Sequence, residues 1–176
     1  MKQTIVGLLS FPVWAWALQT SYFVGEIRIL SPKGETQGLS LALTKRTMDP
    51  AKRVIVEEIL HVPPQGEAIS LTHISQVTED HFTIRDVGNR LRGEGTLHGT
   101  PWSWEKWETR GTFDGKRRFS SKSHLASGVL LVKREIFEDT GKAAMVFSEE
   151  YRSIPQDLYD LLHAKLMRAP AKTPLS

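Results

Sequence analysis

From residue 21 onward, short apolar and β-branched runs alternate with turn signals at a spacing of about 8–12 residues. The runs at 22–30, 36–44, 53–62, 68–77, 81–87, 91–98, 102–113, 116–125, 129–137 and 143–154 read as about ten strands. They end at turns such as Pro32-Lys33-Gly34, Pro63-Pro64-Gln65-Gly66, Gly99-Thr100-Pro101 and Asp114-Gly115. Connections this short make sequential strands antiparallel, so the sheet is a meander. A long meander with no helices between its strands closes on itself, because closure removes its two exposed edges. After Ile154 the period lengthens. Ser153 and Gln156 form a capping box around Pro155, and Leu158, Leu161, Leu162 and Leu166 recur at helical spacing. The pattern predicts an all-β fold over residues 18–154, an antiparallel meander closed into an up-and-down barrel. An amphipathic helix over 155–168 docks on its wall through the leucine stripe, and 169–176 read as a disordered tail.

Period-two alternation then assigns faces. The stretch 93–107 carries three of the five tryptophans and leads into the Asp114-Gly115 hairpin. With a two-residue turn there, Phe113 faces Lys116. Trp104 then pairs with Leu125, Lys106 with Ser123, Glu108 with Ser121 and Arg110 with Phe119. The opposite face pairs Glu105 with His124, Trp107 with Lys122 and Gly111 with Arg118, which is more polar and reads as the solvated side, with Lys122 stacked on Trp107. The expected interior site is therefore Trp102, Trp104, Lys106, Glu108, Arg110 and Phe119, with Phe147 and Tyr151 across the cavity. Two cations around one carboxylate favour an anionic head group, with the tryptophans against its apolar tail. Gly93 and Gly95 face inward, leaving room beside the tryptophans or letting the wall coil sharply.

The hairpin centred on Gln65 offers a second constellation. It sets Glu57 opposite His73 and Ile59 opposite Leu71, with His61 on the same face. A Glu–His pair is the minimum for general acid–base work; an exposed cross-strand ion pair is the bland alternative. The six histidines show no metal-ligand spacing, and no nucleophile elbow, phosphate loop or dinucleotide fingerprint is present, so no metal or cofactor is expected.

Composition narrows the rest. The chain has 176 residues, one domain's worth, with a formal net charge of +3. That is too little for a nucleic-acid binder, and the small cluster Lys116-Arg117-Arg118 reads as a solvated turn beside Asp114-Gly115. There is no cysteine, which excludes a disulfide framework, a thiolate metal site and a lipid-attachment cysteine. At the N-terminus, Lys2 precedes an apolar run over 5–13 and the small-x-small triplet Ala15-Trp16-Ala17. These predict a signal peptide over 1–17, and a cysteine-free exported chain points to a bacterial periplasm or exterior. The run is shorter than a membrane span, so no transmembrane segment is expected.

A meander barrel followed by one helix resembles the lipocalin-like (calycin) architecture over residues 22–168, in layout. The first-strand Gly-x-Trp of that family is missing; the matching stretch is Phe23-Val24-Gly25-Glu26, so no functional residue carries over. The resemblance implies a barrel interior that holds a small hydrophobic or amphiphilic molecule, in a monomer or weak dimer. Two other readings compete. One is an isomerase or lyase on the same barrel using Glu57 and His73. The other is an interaction module docking through an exposed Trp107 face.

Overall fold

A computed structural model describes residues 17–99, 102 and 106–168. Ten strands follow one another: β1 (Gln19–Leu30), β2 (Thr36–Asp49), β3 (Val54–Val62), β4 (Ile69–Val77), β5 (His81–Arg85), β6 (Leu91–Gly99), β7 (Lys106–Phe113), β8 (Arg117–Ala126), β9 (Val129–Phe137) and β10 (Ala143–Ile154). One helix, α1 (Gln156–Arg168), ends the described chain. Each strand pairs antiparallel with the next, and β1 pairs with β10, so the sheet is a closed barrel. Among the described residues, the expected all-β meander and C-terminal helix are both present. The predicted signal peptide lies outside the described residues except for Ala17. The tail 169–176, Thr100-Pro101 and Trp104 lie outside them as well.

Outward strand positions carry Glu26, Arg28, Lys45, Glu58, Lys122, Lys133, Glu150 and Arg152, joined in pairs such as Lys45–Glu58 and Lys122–Glu108. No described helix is long and apolar enough to cross a membrane. The inward positions hold the core: Phe23, Ile27, Ala42, Met48, Ile55, Val77, Phe82, Leu97, Phe119, Leu130, Val132 and Tyr151.

Gly95 of β6 pairs with Gly111 of β7, and the two backbones approach closely there. A Cβ on Gly95 would lie 1.9 Å from the Arg110 carbonyl oxygen, and one on Gly111 would lie 2.0 Å from that of Glu94. Only glycines permit that approach. The space over them is taken by Phe82 and Phe119, whose rings meet edge-on at 6.2 Å, while Phe113 stacks on Phe119 at 4.4 Å.

Helix α1 docks on the outer wall, but in a different phase from the one its leucines suggest. Its buried residue is Tyr159, which packs with Leu43 and Leu60 and is joined by Leu162 and Leu166. The Tyr159 ring lies 5.1 Å from that of Tyr22 on β1. Leu161 is 66% exposed and Leu158 39% exposed, so these two leave the expected stripe. Positions 159, 162 and 166 form a helical face of their own, and a tyrosine buries more apolar area than a leucine one position away.

Candidate functional site

The β7–β8 hairpin decides which residues face the interior. Asp114 and Gly115 both have positive φ, 48° and 67°, and the Lys116 amide donates to the Phe113 carbonyl at 3.0 Å. The turn sits at Asp114-Gly115 as expected, but it is not the expected two-residue one: Phe113 pairs with Arg117, leaving Lys116 unpaired in the ladder. That extra residue shifts the register by one, and a one-residue shift turns a whole strand over. Trp107 therefore pairs with Ser123, Thr109 with Ser121 and Gly111 with Phe119.

This corrects the expected site. Trp107, Thr109 and Phe113 line the cavity, while Lys106 and Arg110 are exposed on the outer face. Glu108 also points outward, to an ion pair with Lys122 at 3.3 Å. Phe119, Phe147 and Tyr151 line the cavity as expected, and Trp102 is half-buried against the core. The face proposed for docking another protein loses Trp107 to the interior.

The interior encloses about 300 Å³, at the small end of the range for small-molecule sites. Its two ends differ. Toward the β2–β3, β4–β5 and β8–β9 turns, the inward residues Phe23, Met48, Ile55, Val77, Phe82, Leu97 and Leu130 are buried and form an apolar floor. Toward the β3–β4, β5–β6 and β7–β8 turns, Ile59, His61, Ile84, Phe113 and Phe147 are half-buried, and Leu71 is exposed. The cavity opens at that end.

Between floor and mouth runs a band of polar side chains. Glu57 pairs with His73 across β3–β4, as the Gln65-centred hairpin predicts, and both line the cavity with His61. From β2, Arg46 donates to Glu57 Oε1 through Nε at 2.8 Å and through Nη2. Its guanidinium also lies 5.2 Å from the centre of the Trp107 ring. From β10, Glu149 accepts a hydrogen bond from the Tyr151 hydroxyl at 2.8 Å and lies 3.7 Å from Arg134 of β9. Gly25 of β1 makes room for this arrangement, since a Cβ there would sit 2.5 Å from the Tyr151 ring. The Thr44 hydroxyl oxygen is buried in the cavity wall with no hydrogen-bond partner among the described residues.

The electrostatics of the band are balanced. Burial pushes the Glu57 carboxyl up, but the charge and hydrogen bonds of Arg46 outweigh it and hold the group below its usual value. Burial lowers the Arg46 guanidinium, opposed by Glu57, yet an arginine stays charged. Burial pushes the Tyr151 hydroxyl up, and Glu149 adds to the shift, so it remains a donor. Burial also lowers His61 and His73, which are neutral at pH 7. Two arginines thus face two carboxylates, and the band carries no formal excess of charge.

Arg46, Arg134 and Glu149 are cavity residues that alternation alone does not single out. On β2 the apolar residues Leu39, Leu41 and Leu43 point outward, and Leu43 is buried under α1. The strand therefore looks inside-out until the helix is placed. The signal that was available is the row Thr44, Arg46 and Met48, which continues from Ala42 on one face.

Among the described residues, no group of three or more acidic or histidine side chains is placed to hold a metal. No family model matches the chain, and no curated protein matches it.

Proposed function

We propose that this is an exported, lipocalin-like binding protein whose barrel holds one small hydrophobic or amphiphilic molecule. The observation that carries the reading is a cavity of about 300 Å³ with an apolar floor, a polar band and a mouth at one end. The apolar part of the ligand lies against Phe23, Phe82, Phe119 and Val132. Its polar group sits at the Thr44 hydroxyl and the neutral imidazoles. The preference for an anionic head group rested on Lys106 and Arg110, which are outside the barrel. Inside, each arginine already has a carboxylate, and an added charge would have to displace one of them. An uncharged, hydrogen-bonding head group suits this band better than an anionic one.

The test is displacement of an uncharged apolar fluorophore by two competitors of equal chain length, a fatty alcohol and a fatty carboxylate. The alcohol should displace the probe at the lower concentration. Ser123→Phe, which fills the cavity, should abolish probe binding while the fold is retained by circular dichroism. Unchanged binding in that variant would place the ligand elsewhere and overturn the reading. Intact mass of protein recovered from its own host tests export: a mass that still includes residues 1–17 contradicts it.

A second reading is favoured by the Glu57–His73 pairing inside the cavity. Glu57 is committed to Arg46, so the neutral His73 is the base, in an isomerase or lyase reaction. A pH-dependent turnover lost in His73→Gln, with probe binding kept, supports it.

A further inference from the structure

The mouth of the barrel is electrically uneven. The β5–β6 hairpin and its strand ends carry Arg85, Arg90 and Arg92, and the adjacent β7–β8 hairpin carries Lys116, Arg117 and Arg118. Only Asp86 and Asp114 oppose these six cations over the stretches 85–92 and 114–118. That is a local charge of +4, against +3 for the whole chain, so everything else sums to −1. The other hairpins at this end hold Lys33, Glu35, Glu67, Glu138, Asp139 and Lys142, which together are acidic. The net positive charge of the chain is therefore concentrated on one lip.

That lip is braced by side-chain contacts. The Asp86 carboxylate accepts from the Arg90 amide at 3.0 Å and from Arg90 Nε at 3.2 Å, which closes the β5–β6 turn. Arg92 joins the two hairpins, reaching Asp86 at 3.5 Å and Asp114 at 3.3 Å. The braced turn holds Val87 at its tip, 78% exposed. On the neighbouring strand, Ile69 and Leu71 are also exposed at the rim, 54% and 38%.

We propose that this lip docks the barrel on an anionic membrane surface. The cations face the head groups, and Val87 enters the interface. Juxtaposed cations and an exposed apolar tip fit a surface that is charged outside and apolar beneath. A polyanion such as nucleic acid would use the cations but has no place for Val87. Docked this way, the mouth opens toward the bilayer. The docking does not depend on a ligand in the cavity.

The experiment is co-sedimentation with vesicles of phosphatidylcholine alone and of phosphatidylcholine containing phosphatidylglycerol, at low and physiological salt. The protein should bind the anionic vesicles, more weakly as salt rises, and not the neutral ones. Lys116→Glu/Arg117→Glu/Arg118→Glu reverses three exposed cations and leaves the Asp86–Arg90 turn and the Arg92 bridge intact. It should lower partitioning at least about tenfold, since each cation near the surface contributes. Val87→Ser should weaken binding without removing its salt dependence. Fluorophore binding in the cavity should be unchanged in both variants, which separates loss of docking from loss of the ligand site. Equal binding to neutral and anionic vesicles, no binding to either, or unaltered partitioning of the triple variant overturns the proposal. So does heparin or duplex DNA binding that anionic vesicles cannot compete away.

Discussion

At the scale of single residues, Arg46 and Glu57 are the pair on which the interior most depends. Arg46→Met would leave the Glu57 carboxylate inside the barrel without its main partner. Breaking one side of a buried pair costs about 3–5 kcal/mol, so the urea midpoint should fall markedly. Replacing both, as Arg46→Met/Glu57→Leu, should recover most of that loss, because an apolar pair of similar volume is often neutral. Equal losses in the single and double variants would show that lost packing around Trp107, not the stranded charge, sets the cost. The facing of Trp107 itself turns on one residue. Alternation along β7 was readable, and so was the Asp114-Gly115 turn. The bulge at Lys116 was not, because a two-residue and a three-residue loop share the same turn residues. The β8 side, with Phe119, Ser121 and Ser123 inward, was legible. Its partner strand came out inverted, and with it Lys106, Glu108 and Arg110. The Gln65 hairpin has no such bulge in the ladder, so Glu57 and His73 met as the spacing implied.

At the scale of elements, all ten strands and the helix were legible, since each is bounded by a strong turn signal. The helix shows what periodicity leaves open. Leucines at 158, 161, 162 and 166 define a broad stripe, and the neighbouring surface chooses which edge of it is buried. Tyr22, Leu43 and Leu60 on the barrel wall select Tyr159, Leu162 and Leu166. Tyr159→Ala should therefore cost about 2–4 kcal/mol, as for other large-to-small changes at a buried position. Leu161→Ala should stay within about 0.5 kcal/mol of the parent. Chemical denaturation of the two variants checks both. A larger loss at 161 than at 159 would mean that the helix docks through the leucine edge. The same helix hides the face of β2, because it makes an outward row apolar. For that reason Arg46 was invisible until the helix had a place.

At the scale of the whole molecule, the closed barrel gathers several buried titratable groups in one interior. Burial lowers His61 and His73 from an ordinary value of 6.5. For His61, Glu149 favours the proton, while Arg134 and His73 oppose it. For His73, Glu57 and Asp86 favour it, while Arg134 and Arg92 oppose it. Glu57 is lowered from 4.5. All three groups have depressed folded-state values, so the unfolded chain binds more protons as pH falls. Their stabilisation is complete above the unfolded values and drains away as pH drops through them. The histidines act first, below about pH 6.5, and Glu57 follows below about pH 4.5. The urea midpoint should therefore hold above about pH 6.5, decline as pH falls below it, and decline again below about pH 4.5. His61→Phe/His73→Phe removes the first group of protons and should flatten the upper part of the curve while leaving the lower part in place. A variant curve parallel to that of the parent across the upper range would assign the loss to groups outside the cavity.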